Sequence, residues 1–167
     1  MVRIRAIETV GVAVPARYPI RSAVRVADRV INVLVEVLTD EGVSGVAYVA
    51  GFTPQKAAAT VAMVADLAEG LCGGDATQLG ALWDRMWAAS TLGGHNGIAM
   101  FALSAIDMAL WDLQGKLLGV PLHRLLGTRR VVLPAYASDG CWLRDAPEAV
   151  AAEAVGFAEA GFRTIKI

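Results

Sequence analysis

Few side chains in this 167-residue sequence are spaced for chemistry. Its two histidines, His95 and His123, lack metal-ligand or triad spacing. His95, in Gly-Gly-His-Asn-Gly, reads as a turn or N-cap neighbour, and His123, in Pro-Leu-His-Arg, reads as part of a short structural turn. Asp107 and Asp112 have the look of a carboxylate pair for acid–base work. Five residues of helix turn through about 500°, so the two do not share a face. Each is expected to pair with backbone or with Arg or Lys where buried. Cys72 and Cys141 match no metal or redox spacing, so reduced thiols in a cytoplasmic protein are the default expectation. Arg17, Arg21, Arg25 and Arg29 recur at every fourth position around Pro15 and Pro19. A positive segment of this kind attracts an anionic substrate; a solvated face or intersubunit salt bridges produce the same pattern. Lys166, judged on residue type alone, is an ordinary strand-end lysine.

The elements that must position these groups fall into two patterns. Residues 3–14 alternate as a strand, and Pro15–Asp28 reads as a loop or flap because Pro15 and Pro19 break the alternation. Residues 29–38 are rich in β-branched side chains and predict a second strand. Asp40-Glu41-Gly42 then marks a turn, and Val43–Ala50 a third strand, which completes an antiparallel meander. Thr53-Pro54 is an N-cap followed by proline at the first helical position, and that helix should end at Gly70. A second helix begins near Thr77, with Leu79, Leu82, Trp83, Met86 and Trp87 on one face. A third runs from about Gly97 to Leu118 and stops at Gly119 and Pro121; it is apolar almost all round and should be deeply buried. Beyond it the pattern changes. Val131–Ala137 is a continuous apolar run, as in a strand covered on both faces. Asp145-Ala-Pro-Glu148 resembles a capping box opening a helix over 147–160, and Arg163–Ile167 starts another strand. The order β, α, β predicts a parallel unit. The expected division is an α+β domain of meander and helices over 1–95, linking helices over 96–130 and an incomplete βαβ portion over 131–167.

Composition narrows the function. Residues 1–83 carry 7 basic and 8 acidic side chains, and residues 84–167 carry 8 of each, so no basic face for a phosphate backbone is implied and no nucleic-acid partner is expected. Hydrophobic residues make up 56% of the chain and the mean hydropathy is +0.51. An ordinary soluble domain has about 45–50%, so some of these surfaces expect more chain or more subunits against them. The richest stretch, Ile98–Leu113, contains Ser104, Asp107 and Asp112 and is shorter than the ~20 residues of a membrane span. The N-terminus lacks the apolar core of a signal peptide. No membrane partner is expected.

One segment is far more specific than the rest. Ala102–Gly127 contains Ser104-Ala-Ile-Asp107, Ala109-Leu-Trp-Asp112, Gly115-Lys116, Gly119-Val-Pro121 and Leu125-Leu-Gly127. It closely resembles the signature of the mandelate racemase/muconate lactonising enzyme family of the enolase superfamily. The meander followed by helices resembles that family's capping domain, and Gly161-Phe-Arg-Thr-Ile-Lys166-Ile167 resembles the approach to its Lys-x-Lys motif. The resemblance covers the whole chain. It implies an α+β capping domain followed by the start of a (β/α)7β, TIM-like barrel.

The resemblance also implies the chemistry. In the family a divalent ion, usually Mg²⁺, is held by carboxylates of the third, fourth and fifth barrel strands. A Lys or His takes the proton α to a carboxylate while the metal stabilises the enediolate. Such a proton is weakly acidic, so charge on the carboxylate oxygens must be neutralised as it leaves. Lys166 is then the catalytic candidate. As the first lysine of Lys-x-Lys it would bind and polarise the substrate carboxylate; in a shifted register it would itself be the base. The candidates for substrate binding are Tyr18, Ile20 and Arg21 in the first capping loop, Phe52 in a second loop (Gly51-Phe52-Thr53), and Ser138 after the first barrel strand. Asp139 either works beside Ser138 or solvates the loop.

A complete barrel takes about 250 residues, and only about 35 follow Val131. The metal ligands and the second acid/base are therefore expected beyond Ile167, and no metal ligand is assigned within the chain. The reading is an N-terminal portion of an enzyme acting on a small carboxylate, as a racemase or epimerase or an acid-sugar dehydratase, with a muconate-type cycloisomerase as an alternative. It is expected to be inactive alone, poorly soluble alone, and oligomeric at full length. A non-catalytic oligomerisation or regulatory fragment is the other alternative.

Overall fold

A computed structural model describes residues 1–22, 26–138, 140–143 and 145–167, with the side chains of Arg17 and Tyr18 left aside. The expectations for Arg25 and Asp139, and for the side chains of Arg17 and Tyr18, lie outside the described residues. Three strands, β1 (Ile4–Arg21), β2 (Val26–Thr39) and β3 (Ser44–Ala50), form one sheet in the order β1-β2-β3. They are followed by α1 (Pro54–Glu69), α2 (Leu79–Ala89), α3 (Gly97–Leu118), the single turn α4 (Leu122–Leu125) and α5 (Pro147–Glu159). Two compact units result: Met1–Ala13 with Ile31–Thr128, and Val14–Val30 with Arg129–Ile167. This grouping cuts across the serial division at 95 and 130, because residues 14–21 of β1 and 26–30 of β2 go with the C-terminal segment.

In the first unit β2 and β3 pair antiparallel from Asn32↔Ala50 to Leu38↔Ser44. The period of two turns Val33, Val35 and Val37 into the core and leaves Leu34 exposed on the other face. The core is completed by α3, whose Ala102, Leu103, Ala105, Ile106, Ala109, Leu110 and Leu113 are all buried. This helix is long and apolar enough to cross a membrane by length and composition, yet it serves as a core helix. It lies so close to β3 that a Cβ on Gly45 would stand 2.0 Å from the Ala109 carbonyl oxygen. The same helix protects the outer edge of β3. The Val46 N–H donates to Asp112 Oδ2 at 2.8 Å, and Lys116 Nζ donates to the Ser44 carbonyl at 2.9 Å while pairing with Asp112 at 2.7 Å. Asp112 thus has the backbone and lysine partners expected of it. Burial pushes its carboxyl up, but the Lys116 and Val46 contacts outweigh this and hold it below its ordinary value. Asp107, on a different face, is raised by burial.

Several boundaries follow the sequence closely. Helix α1 starts at Pro54 with the Thr53 hydroxyl accepting from the Lys56 N–H, and α3 ends at Gly119 in the left-handed conformation. Others do not. The expected loop Pro15–Asp28 is largely strand: β1 continues through Pro15 and Pro19 to Arg21, and β2 begins at Val26. The reason is position, since β1 is an edge strand, and an edge tolerates prolines that a central strand would not. Helix α2 begins at Leu79 rather than Thr77, whose N–H and hydroxyl both bond Asp75 Oδ1. The capping box at Asp145 does not form. The N-cap of α5 is Ala146, with no side-chain bond, and Asp145 turns to Arg21 instead.

The largest correction concerns Val131–Ala137, expected as a buried strand. Val131 is 94% and Val132 82% exposed, and only Ala137 pairs, in a parallel bridge to Ile165. An apolar run of this kind becomes a strand only where neighbours offer it hydrogen bonds and a covering face.

Candidate functional site

In the second unit the parallel bridge sets two candidates side by side. The Ala137 N–H donates to the Thr164 carbonyl at 3.0 Å and the Lys166 N–H to the Ala137 carbonyl at 2.9 Å, with α5 as the crossover. Ser138 and Lys166 therefore leave adjacent segments at the same end, the end where catalytic groups of (β/α)8 folds gather. Both line a pocket of about 160 Å³, together with Ser22, Cys141, Trp142 and Leu143.

The wall facing them is a tight turn. Gly140 has φ 125° and Cys141 φ 51°, so two successive residues adopt left-handed backbone. A Cβ on Gly140 would come within 3.1 Å of Glu153 Oε2 and 3.2 Å of the Phe157 ring. The turn is pinned by the Cys141 N–H, which donates to the Glu153 carboxylate at 2.6 Å. Burial, followed by the Glu153 charge, raises the Cys141 thiol above its ordinary value. The indole Nε1 of Trp142 is buried without a hydrogen-bond partner.

Of the remaining candidates, Arg21 pairs with Asp145 (Nη1–Oδ1 3.0 Å), and Ile20 precedes it in β1, half-buried. Phe52 belongs to the first unit. It is exposed with φ 58°, in a three-residue turn closed by the Thr53 N–H on the Gly51 carbonyl at 2.6 Å. Its ring stands edge-on to Phe101 at 5.5 Å, with Lys56 Nζ 5.9 Å from its centroid. A strained non-glycine residue at a loop tip is a feature of functional loops. His95 is structural: it stacks on Trp87 at 3.7 Å and its Nε2 contacts the Trp87 carbonyl at 2.8 Å. Ser22, Trp142 and Glu153 were not singled out by sequence reasoning, and Asp145 was read only as a helix cap; the one local signal for the turn was Gly140 two residues before Trp142.

The fit of a metal ion can be tested on these side chains. Among the described residues no group of three or more His, Cys, Asp or Glu gathers to hold one. Asp145 and Glu153, the carboxylates tied to this turn, are engaged by Arg21 and by the Cys141 N–H. The described residues do not by themselves make a Mg²⁺ site.

Comparison with known proteins decides the family. The family description "Mandelate racemase / muconate lactonizing enzyme, N-terminal domain" matches residues 4–127. The chain belongs to the mandelate racemase/muconate lactonizing enzyme family. Among curated relatives, the 3,6-anhydro-alpha-L-galactonate cycloisomerase of Streptomyces coelicolor is 34% identical over 135 residues, covering 81% of this chain and 37% of that protein. A D-galactonate dehydratase of Variovorax paradoxus is 35% identical over 136 residues, covering 81% of this chain and 34% of that protein. Among solved structures, an enolase from Bradyrhizobium complexed with magnesium and mandelic acid superposes with TM-score 0.86 at 34% identity, covering 98% of this chain and 45% of that one. The chain thus spans less than half the length of the relatives it matches. Its architecture is that family's N-terminal domain, here followed by α5 and a single parallel bridge of Ala137 with Ile165.

Proposed function

We propose that this chain supplies the capping domain and the first barrel elements of a Mg²⁺-dependent enzyme that removes the proton α to a carboxylate, acting as a racemase or epimerase or as an acid-sugar dehydratase. The observation that carries the reading is the meeting of Lys166 and Ser138 in one pocket at the ends of a parallel pair. An ammonium and a hydroxyl converging there suit the two oxygens of a carboxylate. Lys166 donates to one oxygen and Ser138 to the other, so negative charge growing on them as the α-proton leaves is met by fixed donors. The names of the galactonate dehydratase and of the mandelic-acid complex support this substrate class. A cycloisomerase is the second reading, favoured by the Streptomyces relative.

Binding and turnover separate in this proposal. Titrating the ¹⁵N-labelled chain with D-galactonate should shift the amides of Ser138 and Lys166, and Lys166→Ala should abolish the response. The chain with Mg²⁺ and D-galactonate or mandelate should show no turnover, because the described residues assemble no metal site. Absence of any shift at Ser138 and Lys166 overturns the assignment of the pocket; turnover overturns the inactivity.

A further inference from the structure

A series of fixed points runs through the second unit. Glu153, on α5, holds the Cys141 N–H at 2.6 Å. The turn then closes on itself, the Asp145 N–H donating to the Trp142 carbonyl at 2.9 Å. This fixes Asp145 relative to the pocket wall. The Asp145 carboxylate, 15% exposed, accepts from Arg21 Nη1 at 3.0 Å, while the arginine side chain is 51% exposed. The next residue along from Arg21 is Ser22, and Ser22 lines the pocket with Ser138 and Lys166.

Two physical points follow. An arginine that already faces a carboxylate has its charge cancelled, so its pull on an incoming anion is largely lost. Successive side chains of an extended chain also point to opposite sides. With Arg21 committed to Asp145, its successor is directed elsewhere, here to the pocket. A serine hydroxyl both donates and accepts, which suits a hydroxyl of a hydroxy acid whose carboxylate is met by Lys166 and Ser138.

We propose that Arg21 is a positioning residue, whose ion pair with Asp145 sets Ser22 into the pocket beside Ser138 and Lys166. Ser22, not Arg21, is then the residue of this segment that meets the ligand, a hydroxyl-bearing carboxylate. The nature of the ligand rests on the function proposed above, whereas the role of the ion pair does not.

Two measurements on the whole chain test this. The first is limited trypsin digestion, following cleavage at Arg17, Arg25 and Arg29 by mass. Arg21→Gln and Asp145→Asn should each speed cleavage there by about two- to fivefold, the range of a partly exposed pair, and the charge swap R21D/D145R should restore the slower rate. Equal rates in all four proteins overturn the positioning role. The second is the D-galactonate titration read at individual amides. In the wild type Ser22 should respond together with Ser138 and Lys166. In Arg21→Gln the Ser22 response should fall while Ser138 and Lys166 still shift, and the swap should restore it. Ser22→Ala should weaken the response without changing the trypsin rate, which separates ligand contact from damage to the fold. If Arg21→Gln instead removes the response at all three positions and the swap does not restore it, Arg21 is the anchor and the inference fails. Shifts at Ser138 and Lys166 without Ser22 in the wild type overturn the Ser22 contact alone. No shift at any of the three overturns the function reading with it, and the trypsin rates then judge the ion pair independently.

Discussion

The seam between α3 and β3 and the segment from Val131 to Ile167 are both apolar, yet they are held differently. At the seam every device is local to one unit. Gly45 admits the helix backbone, Leu110 and Leu113 fill the core, and Asp112 with Lys116 closes the edge of β3. In the later segment the apolar side chains of Val131, Val132 and Leu133 are exposed, and order comes instead from a few directed polar contacts: Ala137 with Thr164 and Lys166, Glu153 with Cys141, Asp145 with Arg21. Hydrophobic burial holds the scaffold, and directed hydrogen bonds hold the candidate site. Substitutions should therefore act through different physics in the two places.

The largest effects belong to the seam. Leu110→Ala leaves a cavity at a fully buried position and should destabilise the first unit by about 2–5 kcal/mol in urea unfolding. Gly45→Val forces a Cβ to within 2.0 Å of the Ala109 carbonyl oxygen and 2.6 Å of Leu113 Cβ, so α3 must lift from the sheet. A loss of about 3 kcal/mol is expected, at the upper end for overpacking. A Gly45→Val protein as stable as wild type would show that the close approach is not required.

Smaller effects, of opposite sign, should come from the two aspartates of α3. Asp112 sits below its ordinary value of 3.8 in the folded state, so its contribution is present above that pH and is lost as pH falls through its depressed value. Asp112→Asn should therefore lower stability at pH 7 by about 1 kcal/mol or less, given the partial exposure of the pair, and the loss should vanish in acid. Asp107 sits above 3.8, so its stabilising form is the neutral one, fully populated below 3.8 and lost as pH rises through the folded value. Asp107→Asn should raise the melting temperature at pH 7, with the gain fading as pH falls toward 3.8. Melting curves of both variants at pH 7 and pH 3 check the signs, and equal signs at pH 7 would contradict the distinction between the two faces of the helix.

The same contrast accounts for what was legible in the sequence. The limits of α1 and α3 could be read because Thr53-Pro54 and Gly119 act within a few residues of where they stand. The antiparallel meander could be read for the same reason, since its turn and alternation are local. The extension of β1 through Pro15 and Pro19 could not, because proline forbids a central strand and not an edge, and only the assembled sheet says which is which. Lys166 and Ser138 were legible as candidates only through the family resemblance, with the βαβ order placing the ends of their segments side by side. Their neighbour Ser22 was not: the contact proposed to place it joins Arg21 and Asp145, 124 residues apart in sequence, and no local pattern encodes such a contact. Asp145 even carried a misleading local signal, the capping box, which the longer-range partner overrides.

The smallest stability effect should come from an exposed valine of the later segment. Val132 is 82% exposed, so truncating it removes little packing. Val132→Ser should change the unfolding free energy by no more than about 0.5 kcal/mol, whereas burial in a strand covered on both faces would make the same change cost several times as much. Its effect should appear in association. Exposed apolar chain beside unpaired backbone is a template for other copies, so the substitution should raise the soluble fraction at high concentration, measured by light scattering. A large loss of stability with no gain in solubility would mean that this run is covered in solution, and that the two regions are held by the same physics after all.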